Sequence, residues 1–339
     1  MGGERTILNR WPRPGRFVAL LAISALAVGC GDEQEGEGPE TIRVGYEFDL
    51  DPGDLGDAVA WERSEESQAL SVEFRELGGT QAIVTGLRRG EIEIANMNQT
   101  TAINAIANGA DLKAILATKI RPEWVLGARG ELTEPDDLEG KRIAVYGPGS
   151  ETVYHVDLTL RGAGLAEDDV EILNLGESEN RAAALAAGRI DATPLEFVDH
   201  LRLIDAGEEI NLLSKLSEIS PERGPTVYVV SESLLQEDPE LLDRVTAGLV
   251  EGFRYLYTPE GERAWIEEAQ AGPLEDDPPS LVAEAYAFYR DLGFWPRGEP
   301  IGEAEYQRSC ELWRRTGQVE ECLAFSEVWD TSLWAAASG

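Results

Sequence analysis

Short alternating apolar runs and longer stretches of helical spacing take turns along this chain, and the alternation repeats. Val72-Glu73-Phe74 comes before Leu77-Gly78, and 98 residues on Val170-Glu171-Ile172 comes before Leu175-Gly176. Leu87 and Gly90 then match Leu185 and Gly188, and Glu91-Ile92-Glu93 matches Arg189-Ile190-Asp191. Each copy predicts strand, glycine turn, helix, glycine stop and strand. The helical part of the second copy, NRAAALAAG, is rich in the strongest helix former. A glycine closes each helix where a left-handed cap is expected.

A further strand and helix precede each copy. Thr41-Ile42-Arg43-Val44-Gly45-Tyr46 leads into a segment starting near Asp54, and Arg142-Ile143-Ala144-Val145-Tyr146 leads through Gly147-Pro148-Gly149 into a helix near Ser150. Strands alternating with helices imply right-handed crossovers and a mostly parallel sheet flanked by helices. The expected fold is α/β with two similar lobes, joined by two crossing strands at Glu123–Gly127 and Thr226–Val230. From about Pro239 the pattern is helical: PELLDRVTAGLVEGFRYLY, PEGERAWIEEAQ and PPSLVAEAYAFYRDLG each carry an early proline. These helices should pack on the first lobe, which gives residues 41–126 plus 226–339 for lobe 1 and 127–225 for lobe 2. Two crossings make a hinge, and a hinge makes a cleft that can close on a small molecule.

The amino-terminal residues belong to targeting. Arg5, Arg10, Arg13 and Arg16 precede the apolar stretch Phe17–Val28. As a helix that stretch is roughly 18 Å long against about 30 Å of bilayer hydrocarbon, so it predicts a signal peptide over residues 1–29 rather than a membrane span. Ala27-Val28-Gly29-Cys30 resembles the bacterial lipobox, with Cys30 as the lipidated residue, although Leu26 lies one step further from the cysteine than that pattern prefers. Residues 30–40 then form an acidic tether. Export makes a disulfide between the two remaining cysteines, Cys310 and Cys322, the expectation, with Gly317 turning a helical hairpin between them.

Charge narrows the partners. Of 339 residues, 64 are Asp or Glu and 29 are Lys or Arg, a net charge of −35. Such an excess excludes a nucleic-acid partner, which needs clustered cations.

Taken together, GLRRGEIEIANMNQTTAINAIANGADLKAILAT, DLEGKRIAVYGPGSET, GAGLAEDDVEILNLGE and ALAAGRIDATPLE resemble the substrate-binding proteins of ABC importers for nitrate, sulfonate, taurine and thiamine-pyrimidine precursors. The resemblance runs from about Thr41 to Ile219 and more weakly to the end. It implies the two-lobed type 2 periplasmic-binding-protein fold, a small-molecule ligand, a membrane ABC permease as partner, and an exported, lipid-anchored location on the outer face of the cytoplasmic membrane. A monomer is expected.

Ligands of open α/β sheets sit beyond the carboxyl ends of strands, and the resemblance points to the same loops. The candidates are Glu47, Asp49, Gly79, Thr80, Asn98, Gln99 and Thr100 from the first lobe, and Gly149, Ser150, Glu151, Thr152, Glu177 and Glu196 from the second. Hydroxyls at helix starts (Thr80, Thr100, Ser150) suit an oxyanion or simply cap their helices. None of these positions is Arg or Lys, whereas five are acidic. That balance tilts toward a neutral or cationic pyrimidine-like or amine ligand, with Tyr46, Phe48, Trp124, Tyr146 or Tyr154 available for stacking, over a nitrate or sulfonate.

Catalysis leaves few traces. His155 and His200 fall in helical segments as surface or packing residues, and no Cys or His spacing suits a metal. Gly147-Pro148-Gly149-Ser150-Glu151-Thr152 lacks the Xaa-Gly that follows the serine of a nucleophile elbow, and no cofactor motif is complete. A solute receptor is therefore expected rather than an enzyme of the same fold or a sensory protein.

Overall fold

In the computed structural model, which describes residues 40–46, 51–148, 150–220, 226–298 and 300–337, ten strands form two sheets. They are β1 (Glu40–Tyr46), β2 (Leu70–Glu76), β3 (Ile94–Asn98), β4 (Leu112–Ala117), β5 (Val125–Arg129), β6 (Arg142–Val145), β7 (Glu171–Asn174), β8 (Ala192–Leu195), β9 (Ile210–Lys215) and β10 (Thr226–Ser231). The first sheet runs β2-β1-β3-β10-β4 and the second β7-β6-β8-β5-β9. β1 pairs in parallel with β2 and β3, and β6 with β7 and β8. One strand in each sheet is antiparallel, β10 in the first and β5 in the second.

That antiparallel strand corrects the expected crossings. Val125–Arg129 and Thr226–Ser231 do not span the gap; each lies wholly within one sheet, where neighbours on both sides satisfy its backbone. The outward connection is the segment 118–124. Thr118 N donates to Thr226 O at 2.8 Å and Ile120 N to Phe294 O at 2.8 Å, which pins this segment to the return strand and to the C-terminal region.

The internal repeat extends to side chains. Arg43 donates from its backbone N and guanidinium to Glu93 and from Nη2 to Gly90 O. Arg142 does the same to Asp191 and Gly188 O. In both lobes a first-strand arginine thus ties down the glycine that ends a helix and the acid that opens the next strand.

Helix Pro239–Tyr255 packs against helix Leu55–Gln68 at very close range. A Cβ on Gly252 would lie 2.4 Å from Ala60 O, and one on Gly248 would lie 2.2 Å from Ser64 Oγ. The Gly252 contact is with backbone, which cannot rotate aside. Gly252→Ala is therefore expected to cost about 1–3 kcal/mol of unfolding free energy, read from urea denaturation.

Further along, helix Glu303–Arg315 ends at Gly317, in the left-handed region at φ +74°. Cys310 is buried on this helix and bonded to Cys322. Cys322 lies on irregular chain after the turn, so the pair closes a helix-and-loop rather than the two-helix hairpin expected. Its 12-residue separation gives an expected loss of about 2–3 kcal/mol on replacing both cysteines with alanine, measured by denaturant titration.

The lobes also touch beside the hinge. Helix Phe197–Asp205 of the second lobe meets helix Pro279–Leu292 of the first: the Phe197 and Phe288 rings stack with centroids 3.6 Å apart. Arg202 Nη2 lies 2.8 Å from Asp277 Oδ2 and 3.2 Å from Pro273 O. Among the described residues no helix is long and apolar enough to cross a membrane.

Candidate ligand-binding cleft

The turn that follows the first strand ends in a tight acidic knot. Asp51 Oδ1 accepts from Asp54 N at 3.0 Å, with Pro52 starting the turn between them. Lys119, on the outward connection, brings Nζ to 2.7 Å from Asp54 Oδ1 and 3.4 Å from Asp51 Oδ1. Gly53 allows this convergence, because a Cβ there would lie 2.9 Å from Glu123 Oε1. Glu123 Oε2 in turn accepts from Tyr289 OH at 2.6 Å. From the second lobe, Glu196 feels the charges of Asp51, Glu123 and Asp199, and Lys119 attracts it. Two carboxylates thus hold one ammonium, and two more, Glu123 and Glu196 from other parts of the chain, feel its charge.

Their proton affinities follow from burial and mutual repulsion. Burial first, then the Asp51 charge, pushes Asp54 up to about 6. The same causes push Glu123 up to about 7, against the pull of Lys119. Burial, with Asp51 and Glu123, holds Glu196 well above the usual carboxylate range.

Behind the knot lies a buried hydrogen-bond network. Asn96 donates to Asp57 Oδ2 at 2.8 Å, while the Tyr228 hydroxyl meets Tyr46 OH and Trp61 Nε1, each at 2.8 Å. Asp57 Oδ1 is buried without a hydrogen-bond partner.

Opposite the acids sits a cation that sequence reasoning passed over. Arg181, on helix Ser178–Ala186, is 0% exposed. Its Nε donates to Pro194 O of β8 at 3.1 Å and its Nη1 to Gly176 O in the loop after β7. Its guanidinium lies 5.7 Å from the Trp124 ring centroid. Nη2 has no hydrogen-bond partner. Burial pulls its pKa down while Glu196, Asp199 and Glu177 pull it up, and a guanidinium so placed remains charged.

Gln99 makes a similar case in the first lobe. It opens the helix after β3, is 1% exposed, and neither amide atom has a hydrogen-bond partner. Buried polar groups left unpaired in this way call for an absent partner.

The other predicted residues are distributed as follows. Glu196 joins the acidic knot. Glu177 is exposed at the start of the Arg181 helix. Thr152 spends its hydroxyl locally: Tyr146 N donates to Thr152 Oγ1 at 2.8 Å, and Ser150 Oγ lies 2.7 Å from it. Glu151 begins that same helix. Gly79, at φ +135°, supplies the bend before the helix that Thr80 opens. Thr80 lines a groove of about 990 Å³ with Gln81, Arg88 and Asn104 between the helices of the first lobe. Asn98 and Thr100 flank Gln99, exposed and half-buried respectively. Glu47, Asp49, Gly149 and Cys30 lie outside the described residues, as does Phe48. Among the aromatic candidates, Tyr46 is buried in the network, Tyr154 pairs with Ser220 Oγ at 3.0 Å, and Tyr146 stays 51% exposed. His155 and His200 are both buried, so they are packing rather than surface residues.

Comparison with known proteins agrees with this architecture. The model of the family described as NMT1/THI5 like matches residues 66–262, more than half the chain. The taurine-binding periplasmic protein of Escherichia coli (strain K12) is 24% identical over 277 residues, 78% of this chain and 80% of that one. The crystal structure of the periplasmic aliphatic sulphonate binding protein SsuA from Escherichia coli superimposes with a TM-score of 0.67 at 18% identity, covering 87% of this chain and 93% of that one. The desulfurization enzyme DSZB also superimposes, with a TM-score of 0.64 at 14% identity over 88% and 99% of the two chains. The two-sheet architecture is that of the type 2 periplasmic-binding-protein fold, and the chain belongs to the NMT1/THI5-like family.

Proposed function

We propose that this protein is an extracytoplasmic solute-binding protein that captures a small molecule between its lobes and delivers it to an ABC importer. The ligand carries both a protonated amine and an oxyanion. The observation that carries this reading is a meeting of opposite groups: the half-buried carboxyls of Glu123 and Glu196, raised in pKa by burial and by neighbouring acids, and Arg181 with an unpaired Nη2. A desolvated carboxylate needs a cation and a desolvated guanidinium needs an anion, so one dipolar guest satisfies both. The name of the taurine-binding relative supports the same class, and that of the sulphonate-binding protein supports its anionic end.

Anchoring through Cys30 and a monomeric state belong to this proposal. A fold shared with an enzyme makes turnover a fair control. The test is calorimetry with taurine, an alkanesulfonate, a simple amine and an aminopyrimidine, followed by recovery of the probe. Tightest binding of taurine, recovered intact, supports the proposal. Equal or tighter binding of the plain sulfonate or plain amine refutes the dipolar ligand, and recovery of a converted product refutes the receptor.

A further inference from the structure

We propose that Lys119 sets how many positive charges the cleft accepts: it fills one of two cation positions among four carboxylates, leaving room for a ligand with a single ammonium. The inference rests on the amine-bearing ligand just described and deepens it.

The four carboxylates differ in how closely they meet the lysine. Asp51 and Asp54 share the Lys119 ammonium, at 3.4 and 2.7 Å. Glu123 Oε2 accepts from Tyr289 OH at 2.6 Å, and Glu196 of the second lobe feels the charges of Asp51 and Glu123. Lys119 is therefore the first cation, and a ligand ammonium would be the second.

The lysine is also held in place. Thr118 N donates to Thr226 O at 2.8 Å, Thr226 N donates to Lys119 O at 3.3 Å, and Ile120 N donates to Phe294 O at 2.8 Å. Its side chain is 16% exposed, and Gly53 leaves its Nζ just 3.3 Å from where a Cβ would stand. An internal cation fixed on three backbone bonds does not swing out to admit a second ligand charge. Independent signs of a ligand lie in the same cleft: the unpaired Nη2 of Arg181 and the unpaired amide of Gln99, both more than nine-tenths buried.

The experiment uses the purified full chain and two probes with the same anionic end: taurine, and its N-(2-aminoethyl) derivative, which adds a basic nitrogen. Affinities are measured by calorimetry for the wild type, Lys119→Ala, which vacates both the charge and the space, and Lys119→Arg, which keeps both. The wild type and Lys119→Arg should prefer taurine. Lys119→Ala should shift the ratio of affinities at least tenfold toward the two-nitrogen probe. Should Lys119→Ala lose its circular-dichroism spectrum, Lys119→Gln, which can still hydrogen-bond Asp54, is expected to move the ratio the same way. Taurine binding with an unchanged ratio in the folded variant overturns this inference and leaves the amine reading intact. No binding of either probe to any of the proteins overturns both.

Discussion

Glu123→Gln is expected to stabilise the ligand-free protein at pH 8, by about 3 kcal/mol, and to leave it unchanged at pH 4. Burial and the Asp51 charge raise the Glu123 carboxyl from 4.5 to about 7. A carboxyl raised in the folded state keeps its proton after the unfolded chain has lost its own. Its stabilising contribution is therefore complete below about 4.5 and gone above about 7. Glutamine imitates the protonated form at every pH and can still accept from Tyr289 OH. Comparing variant with wild type cancels His155, held down at about 3 by burial, which works in the opposite direction at acid pH. Denaturant titrations at the two pH values provide the measurement. A variant no more stable than the wild type at pH 8 would show that Glu123 is not charged at a cost. The same change should weaken taurine binding, because the charge that burdens the empty fold is the one that meets the ligand amine.

Arg181→Met should weaken taurine binding by roughly ten- to a hundredfold, a charge-assisted hydrogen bond from the unpaired Nη2 being worth about 1.5–3 kcal/mol. Methionine keeps most of the buried volume but removes the fork. Arg181 also bridges Pro194 O and Gly176 O, so the variant should unfold more easily as well. Arg181→Lys separates these roles: it restores a point charge without the planar fork that bridges β8 and the loop after β7. Calorimetry reads the first effect and denaturation the second. Undiminished taurine affinity in Arg181→Met would remove the anion from the proposed ligand.

Much of the fold could be read from the chain because it is written twice. The helices that begin at Thr80 and Ser178, and the strands that begin at Ile94 and Ala192, start 98 residues apart, the interval seen in the sequence. The site was far less legible. Acidic residues are so common here, 64 of 339, that the acids which matter could not be told from those that face water. Glu196 stands out in the sequence by its place after a strand, whereas Asp51, Asp54 and Glu123 come together only in three dimensions, near Lys119. Tyr289 lies 166 residues from the glutamate it serves, in a helix whose pattern speaks only of packing. Arg181 had a signal that was overlooked: it is the lone cation in NRAAALAAG, a segment read for its alanines. The cysteine hairpin failed differently, since the spacing around Gly317 gave proximity without the type of element on its far side.

The stacked phenylalanines beside the hinge have a mechanical meaning. Phe197 follows Glu196 directly, and Phe288 directly precedes Tyr289, so each ring travels with a member of the acidic knot. Any swing that draws Glu196 away from Glu123 must shear one ring across the other and stretch the Arg202–Asp277 bridge. If the proposed capture works by rotation of the lobes, release of a guest and slippage at this outer joint would be two readings of one movement, and a fluorophore placed at the joint would report on a vacancy it never touches.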